Sequence, residues 1–128
     1  MLEDSGDQTR LVSDLVKKMK VRGDKTLTST MTIGEIMVKP IDDGDLGLIV
    51  KYRDLFSDPE LEVLVFGAEA AWEYAKIRQD RSIKAPDAIQ LACAAAANCD
   101  MFITNDHRLS KKVIPGIQFI VSLDRVPI

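Results

Sequence analysis

The sequence predicts an α/β fold built on a parallel sheet with helices on both faces. Three observations lead there. Short β-branched or apolar runs alternate with amphipathic helical patterns, an alanine-rich helix able to lie close against a sheet precedes the third such run, and 128 residues suffice for one core but not for two. The expectation is therefore one domain over residues 1–128.

From Gln8 to Val21 the residues Leu11, Val12, Leu15, Val16 and Met19 recur at helical spacing, with Arg10, Asp14, Lys17 and Lys18 opposite. Gly23-Asp24 breaks this helix, and the β-branched stretch Lys25 to Thr30 reads as a strand. Ile33, Ile36 and Met37 resume helical spacing, and Pro40 is expected to stop it. Asp42-Asp43 then cap a helix whose stripe is Leu46, Ile49, Val50, Leu55 and Phe56, closed by Asp58-Pro59.

Leu61 to Phe66 is apolar enough to predict a strand buried on both faces, followed by a helix to about Gln79 in which Trp72 and Tyr74 are expected to pack against the core. A polar loop, Asp80 to Lys84, leads to Pro86 at the first helical position and to the alanine-rich helix Asp87 to Ala97. Met101-Phe102-Ile103 is a short strand that ends at Thr104-Asn105-Asp106. A basic helical turn, Arg108 to Lys112, passes Pro115-Gly116 into a last strand, Gln118 to Val121. The four strands are expected to form one parallel sheet.

Composition narrows the function classes. Hydrophobic residues at 46% and charged residues at 29% are values of a folded, soluble chain. The longest apolar stretch, Leu91 to Ala97, is far short of the roughly 20 residues that span a bilayer. The acidic start, Glu3, Asp4 and Asp7, is unlike a secretory leader, so a cytoplasmic location is expected. A net charge of −3 gives no global attraction to phosphate backbones, and any contact with nucleic acid must come from a local patch. Cys93 and Cys99 match neither a zinc site nor a Cys-x-x-Cys pair, and read as reduced structural thiols.

In open parallel sheets, ligands gather at the carboxyl ends of the strands. Three acidic residues fall there: Glu35 after the first strand, Asp87 at the start of the alanine-rich helix, and Asp106 after the Met101 to Ile103 strand. Carboxylates brought together repel unless a cation lies between them, and hard oxygen ligands suit Mg²⁺ or Mn²⁺, which can activate a water for attack on a phosphodiester. Each residue also has a local reading: Glu35 in a capping box with Thr32 or an ion pair with Lys39, Asp87 on a helix dipole, Asp106 in a turn. Position by position, both readings stay open.

Taken together, the segments Ser29-Thr30-Met31-Thr32-Ile33-Gly34-Glu35-Ile36, Ala85-Pro86-Asp87-Ala88-Ile89-Gln90-Leu91-Ala92 and Phe102-Ile103-Thr104-Asn105-Asp106-His107-Arg108-Leu109 resemble the PIN-domain family, and within it the VapC-like toxins of toxin–antitoxin pairs. The resemblance runs from about Leu2 to Leu123. It implies a three-layer α/β/α sandwich and a metal-dependent ribonuclease. Glu35, Asp87 and Asp106 would be the catalytic carboxylates holding Mg²⁺ or Mn²⁺, Thr104 a supporting hydroxyl, and RNA the substrate, with a homodimer and an antitoxin protein as partners. Arg108, Lys111 and Lys112 form a basic group beside Asp106 that reads either as a solvated face or as a contact for the RNA backbone.

One part of the family pattern does not carry over. The family's opening strand, with its first aspartate, precedes a segment that Leu2-Glu3-Asp4-Ser5 resembles, and this chain begins after that point, so the chain reads as N-terminally truncated relative to the family. The absent strand is central in the family's sheet. The flanking strands are expected either to close up or to have the gap filled by another chain. Asp4 and Asp7 read as N-capping residues rather than substitutes for the aspartate. The remaining acidic site leads to two expectations: three carboxylates within a few Å of one point, and at least one raised carboxyl pKa. With the first aspartate missing, the alternative is a catalytically impaired module that binds an antitoxin or self-associates.

Overall fold

A computed structural model of the chain describes residues 9–104, 106–122 and 125–126, with the side chains of 9–13 and 16 outside the description. Asp4 and Asp7 therefore lie outside the described residues. Helix α1 (Thr9–Arg22) buries Leu15 and half-buries Met19, while Lys17 and Lys18 face solvent. Gly23 ends it at φ 78°, a conformation glycine adopts without steric cost, and β1 (Thr26–Ser29) follows.

Ser29 caps α2 (Thr30–Asp42), its hydroxyl accepting from the Thr32 N–H at 3.1 Å. The helix does not stop at Pro40. A proline removes one helical hydrogen bond, but here the loss falls in the last turn, where Asp43 N–H donates to Lys39 O and Asp45 N–H to Pro40 O, and the ring itself is buried. Nor do Asp42 and Asp43 cap α3 (Leu46–Phe56). Gly44, at φ 63°, turns the chain so that Asp45 stands before the helix and accepts from Leu48 N–H at 3.1 Å.

Strand β2 (Leu61–Leu64) is shorter than expected and only half-buried, and Val65 and Phe66 lie outside it and are exposed. Among the described residues it pairs with β1 alone and so forms an outer edge, which removes the reason for an unbroken buried run. In α4 (Ala68–Ile77) the buried face consists of Ala70 and Ile77. Trp72, two positions from Ala70, is turned away and is 73% exposed, contrary to its expected place in the core. Tyr74 is half-buried, edge-to-face with Phe66.

Helix α5 (Ala85–Ala96) has Pro86 in its second position and buries Ala88 and every residue from Gln90 to Ala95. Small side chains let its backbone lie close to its neighbours. Strand β3 (Met101–Thr104) follows, then a short 3-10 turn at Leu109–Lys111, and β4 (Phe119–Ser122). Gly116 at φ 95° reaches β4 past α5, and a Cβ there would stand 2.9 Å from the Ala95 carbonyl oxygen.

The layers follow from alternation along the strands. Phe102 points into a core of Ala70, Ile77, Leu91, Ala92 and Ala95 from α4 and α5, which Leu27, Leu64 and Ile120 also join. Its neighbour Ile103 points the other way, toward Leu15 and Met19 of α1 and Leu55 of α3. Parallel strands thus lie between helical layers, in keeping with a three-layer α/β/α sandwich. All pairing among the described residues is parallel, Thr26 to Ser29 of β1 on Leu61 to Leu64 and Met101 to Thr104 of β3 on Phe119 to Ser122. The expected single sheet is instead two pairs, β1–β2 and β3–β4, because no strand among the described residues hydrogen-bonds between β1 and β3. The flanking strands have not closed up.

Candidate functional site

The carboxyl ends of β1 and β3 deliver the acidic residues through different local devices. Beyond β3, the buried Thr104 hydroxyl accepts the Asp106 N–H at 3.0 Å, which fixes the turn that presents the Asp106 carboxylate. That carboxylate accepts the backbone N–H of Arg108 at 2.9 Å, its Nε–H at 3.3 Å and a terminal N–H at 3.2 Å. The guanidinium holds the Asp106 carboxyl below the usual carboxylate range, opposite to the raised value expected of crowded carboxylates. Asp106 pushes Arg108 up, and the charge of Asp87 adds to the effect, so one cation serves two carboxylates.

Asp87, in the first turn of α5, lines a cavity of about 310 Å³ with Asp106, Lys84, Arg108, Lys111 and Lys112. Its lining thus combines both carboxylates with four basic side chains. Lys112 is committed elsewhere, its Nζ donating to Asp80 at 2.8 Å and to Ser82 at 2.7 Å. Lys84 was not singled out from sequence; its signal was its place just before Pro86-Asp87, the position from which an α5 N-cap faces the same opening.

Glu35 is not in that cavity's lining. Its Oε1 accepts the side-chain amide of Gln90 at 3.0 Å, and the helix is capped by Ser29 rather than by a capping box of Thr32 with Glu35. Gln90 is fully buried one turn beyond Asp87 on α5, and it therefore ties Glu35 to the helix that carries Asp87. Among the described residues no three His, Cys, Asp or Glu side chains gather closely enough to hold a metal ion, so the expected convergence on one point is not present. Asp87 and Asp106 line one cavity and could hold a hydrated divalent cation, since Mg²⁺ is held by one or two carboxylates and keeps several waters; Arg108, paired with Asp106, is the cation such an ion would displace.

The family model described as PIN domain matches residues 4–114. The chain belongs to the PIN domain family. PIN domains are generally metal-dependent nucleases that bind nucleic acid and use divalent ions. No curated protein and no solved structure matches this chain. The two segments around Asp87 and Asp106 fall inside the matched span; Asp106 follows β3, at the strand end where an open α/β sheet collects its ligands, whereas Asp87 follows helix α4 and a loop and reaches the same cavity from the first turn of α5. No helix among the described residues is long and apolar enough to cross a membrane.

Proposed function

We propose that this PIN domain is a divalent-metal-dependent endoribonuclease of the VapC-like toxin type, with Asp87 and Asp106 as its metal-holding carboxylates. The observation that supports this reading is their shared cavity, which Lys84, Arg108 and Lys111 also line. Bound Mg²⁺ or Mn²⁺ would supply an activated water and stabilise the leaving oxygen of a phosphodiester. Asp87 and Asp106 provide the negative charge that binds the ion, and Thr104 keeps the Asp106 turn in register. Glu35, positioned by Gln90, is the third acidic residue at this end of the fold and assists through water-mediated contact. Lys84, Arg108 and Lys111 hold the RNA backbone by charge-assisted hydrogen bonds, while Lys112 braces the Asp80 to Ser82 turn beside them.

Incubating the chain with single-stranded RNA and Mn²⁺ tests this. Cleavage should appear, stop with chelator, and be lost in Asp87→Asn and Asp106→Asn. Cleavage indifferent to chelator or to both substitutions would overturn it.

A second reading, a module that binds an antitoxin or itself, is favoured by one feature. The α2–α3 hairpin exposes Val38, Ile41, Leu46 and Val50, a concentration of apolar side chains suited to a protein partner. Light scattering separates the readings, since a monomer that cleaves RNA favours the nuclease alone, and an inactive dimer favours the module.

A further inference from the structure

The contacts that hold the Asp106 carboxylate are of two kinds. Some belong to the backbone of its turn: the Arg108 N–H donates to Oδ1 at 2.9 Å, the Asp106 N–H donates to the Thr104 hydroxyl at 3.0 Å, and the Leu109 N–H donates to the Asp106 carbonyl at 3.0 Å. These stay in place whatever the Arg108 side chain does. The others belong to the guanidinium, whose Nε–H reaches Oδ1 at 3.3 Å and whose terminal N–H reaches Oδ2 at 3.2 Å. Among the described residues the Arg108 side chain hydrogen-bonds to Asp106 alone, and it is 78% exposed, so rotation of one side chain breaks both contacts without moving the turn.

The cavity offers each partner an alternative. Asp106 shares it with Asp87, whose charge adds to the hold on Arg108, and Arg108 shares it with Lys84 and Lys111, which suit an anion. Asp106 can pass to a divalent ion only by giving up the guanidinium, which leaves Arg108 without a partner. Arg108 can pass to a phosphate only by the same loss, which leaves Asp106 without one. Either ligand binding alone therefore carries the whole loss of the pair. When both bind, the loss is carried once, and each ligand tightens the other by the same factor.

Resting on the nuclease reading above, we propose that Arg108 is a positioning residue that exchanges partners: it holds Asp106 as a stand-in cation in the free site, and an RNA phosphate once a divalent ion has taken that carboxylate. Metal and RNA then load the site together, and the site without RNA holds its ion less tightly. Ion pairs this exposed are individually weak, so the coupling is about three- to fivefold. Among the described residues Asp106 is ion-paired with Arg108 and not with Lys84 or Lys111, so neither lysine contributes to the exchange.

The test measures Mn²⁺ affinity of the full chain from the electron paramagnetic resonance signal of free Mn²⁺, with and without a saturating single-stranded 2′-O-methyl RNA octamer. Binding that disappears in Asp106→Asn is taken as that of the site. In wild type the octamer should tighten Mn²⁺ about three- to fivefold. In Arg108→Ala, Mn²⁺ alone should bind more tightly than in wild type, and the octamer should leave that affinity nearly unchanged. Lys111→Ala should need more octamer yet keep the wild-type factor. Equal tightening in wild type and Arg108→Ala would overturn the proposal, because the octamer's charge alone would then account for it. Weaker Mn²⁺ binding in Arg108→Ala than in wild type, or loss of the factor in Lys111→Ala, would also overturn it. Asp106-dependent binding that the octamer does not tighten in wild type rejects the exchange and leaves the nuclease reading standing. No Asp106-dependent binding in any arm rejects both.

Discussion

The side-chain amide of Gln90 donates to the Glu35 carboxylate at 3.0 Å, joining two helices whose residues are 55 positions apart in the chain. Gln90 is fully buried and its other polar atom, Oε1, has no donor among the described residues. A hydrogen bond to a charged group is worth about 1.5–3 kcal/mol, and a buried unsatisfied carbonyl costs about 1–3 kcal/mol. The two terms are close in size. Gln90→Leu removes both and should change stability in urea unfolding by no more than about 1 kcal/mol. Gln90→Glu buries a second carboxylate beside the first and should lose about 3–5 kcal/mol. Equal losses in both variants would show that the tie to Glu35 dominates.

On the proposed function, Arg108 and a metal ion would compete for the same carboxylate, because both guanidinium contacts are to Asp106. Thermal melts with increasing Mn²⁺ should show a rising Tm, since a ligand of the folded state stabilises it. The rise should disappear in Asp106→Asn. In Arg108→Ala it should appear at lower Mn²⁺ concentration, while affinity for single-stranded RNA falls. Loss of both metal and RNA affinity in Arg108→Ala would show that the arginine supports metal binding instead of opposing it.

Two glycines should respond oppositely to alanine. Gly116 lies at φ 95° with the Ala95 carbonyl oxygen 2.9 Å from the position of a Cβ, so Gly116→Ala should cost roughly 1–3 kcal/mol from backbone strain, with the clash adding to it. Gly34 lies inside α2 with open space around it, and Gly34→Ala should gain roughly 0.5–1 kcal/mol. Denaturant midpoints of the two variants check both signs.

Asp80 links its loop to the 3-10 turn through Lys112, and that contact, with the Ser82 hydroxyl and N–H, lowers its pKa to about 2. A depressed carboxyl pKa contributes stability that is fully present above the ordinary value of 3.8 and is lost as pH falls through the folded value of about 2. The effect is small because the pair is exposed to solvent. Asp80→Asn should have a slightly lower Tm than wild type at pH 6, and the difference should vanish between about pH 4 and pH 2. A difference that persists at pH 2 would assign the effect to loop shape instead of charge.

The sequence by itself determined the order of elements, because apolar spacing and turn residues are local: the amphipathic α1, the alanine-rich α5 and the short strands at Thr26, Met101 and Phe119 all lie within a few residues of their expected bounds. It also marked Asp106 after a strand and Asp87 at a helix start. What only the tertiary structure decided depends on residues distant in the chain. Helix rotation turned Trp72 outward, the edge position of β2 left it half-buried, and the Asp80 to Ser82 turn claimed Lys112. The same holds for the site and the sheet. Glu35 went to Gln90, Asp106 went to Arg108, and the strands formed two pairs across an open cleft, because hydrogen-bond partners are chosen by proximity in the fold and no periodicity along the chain encodes them.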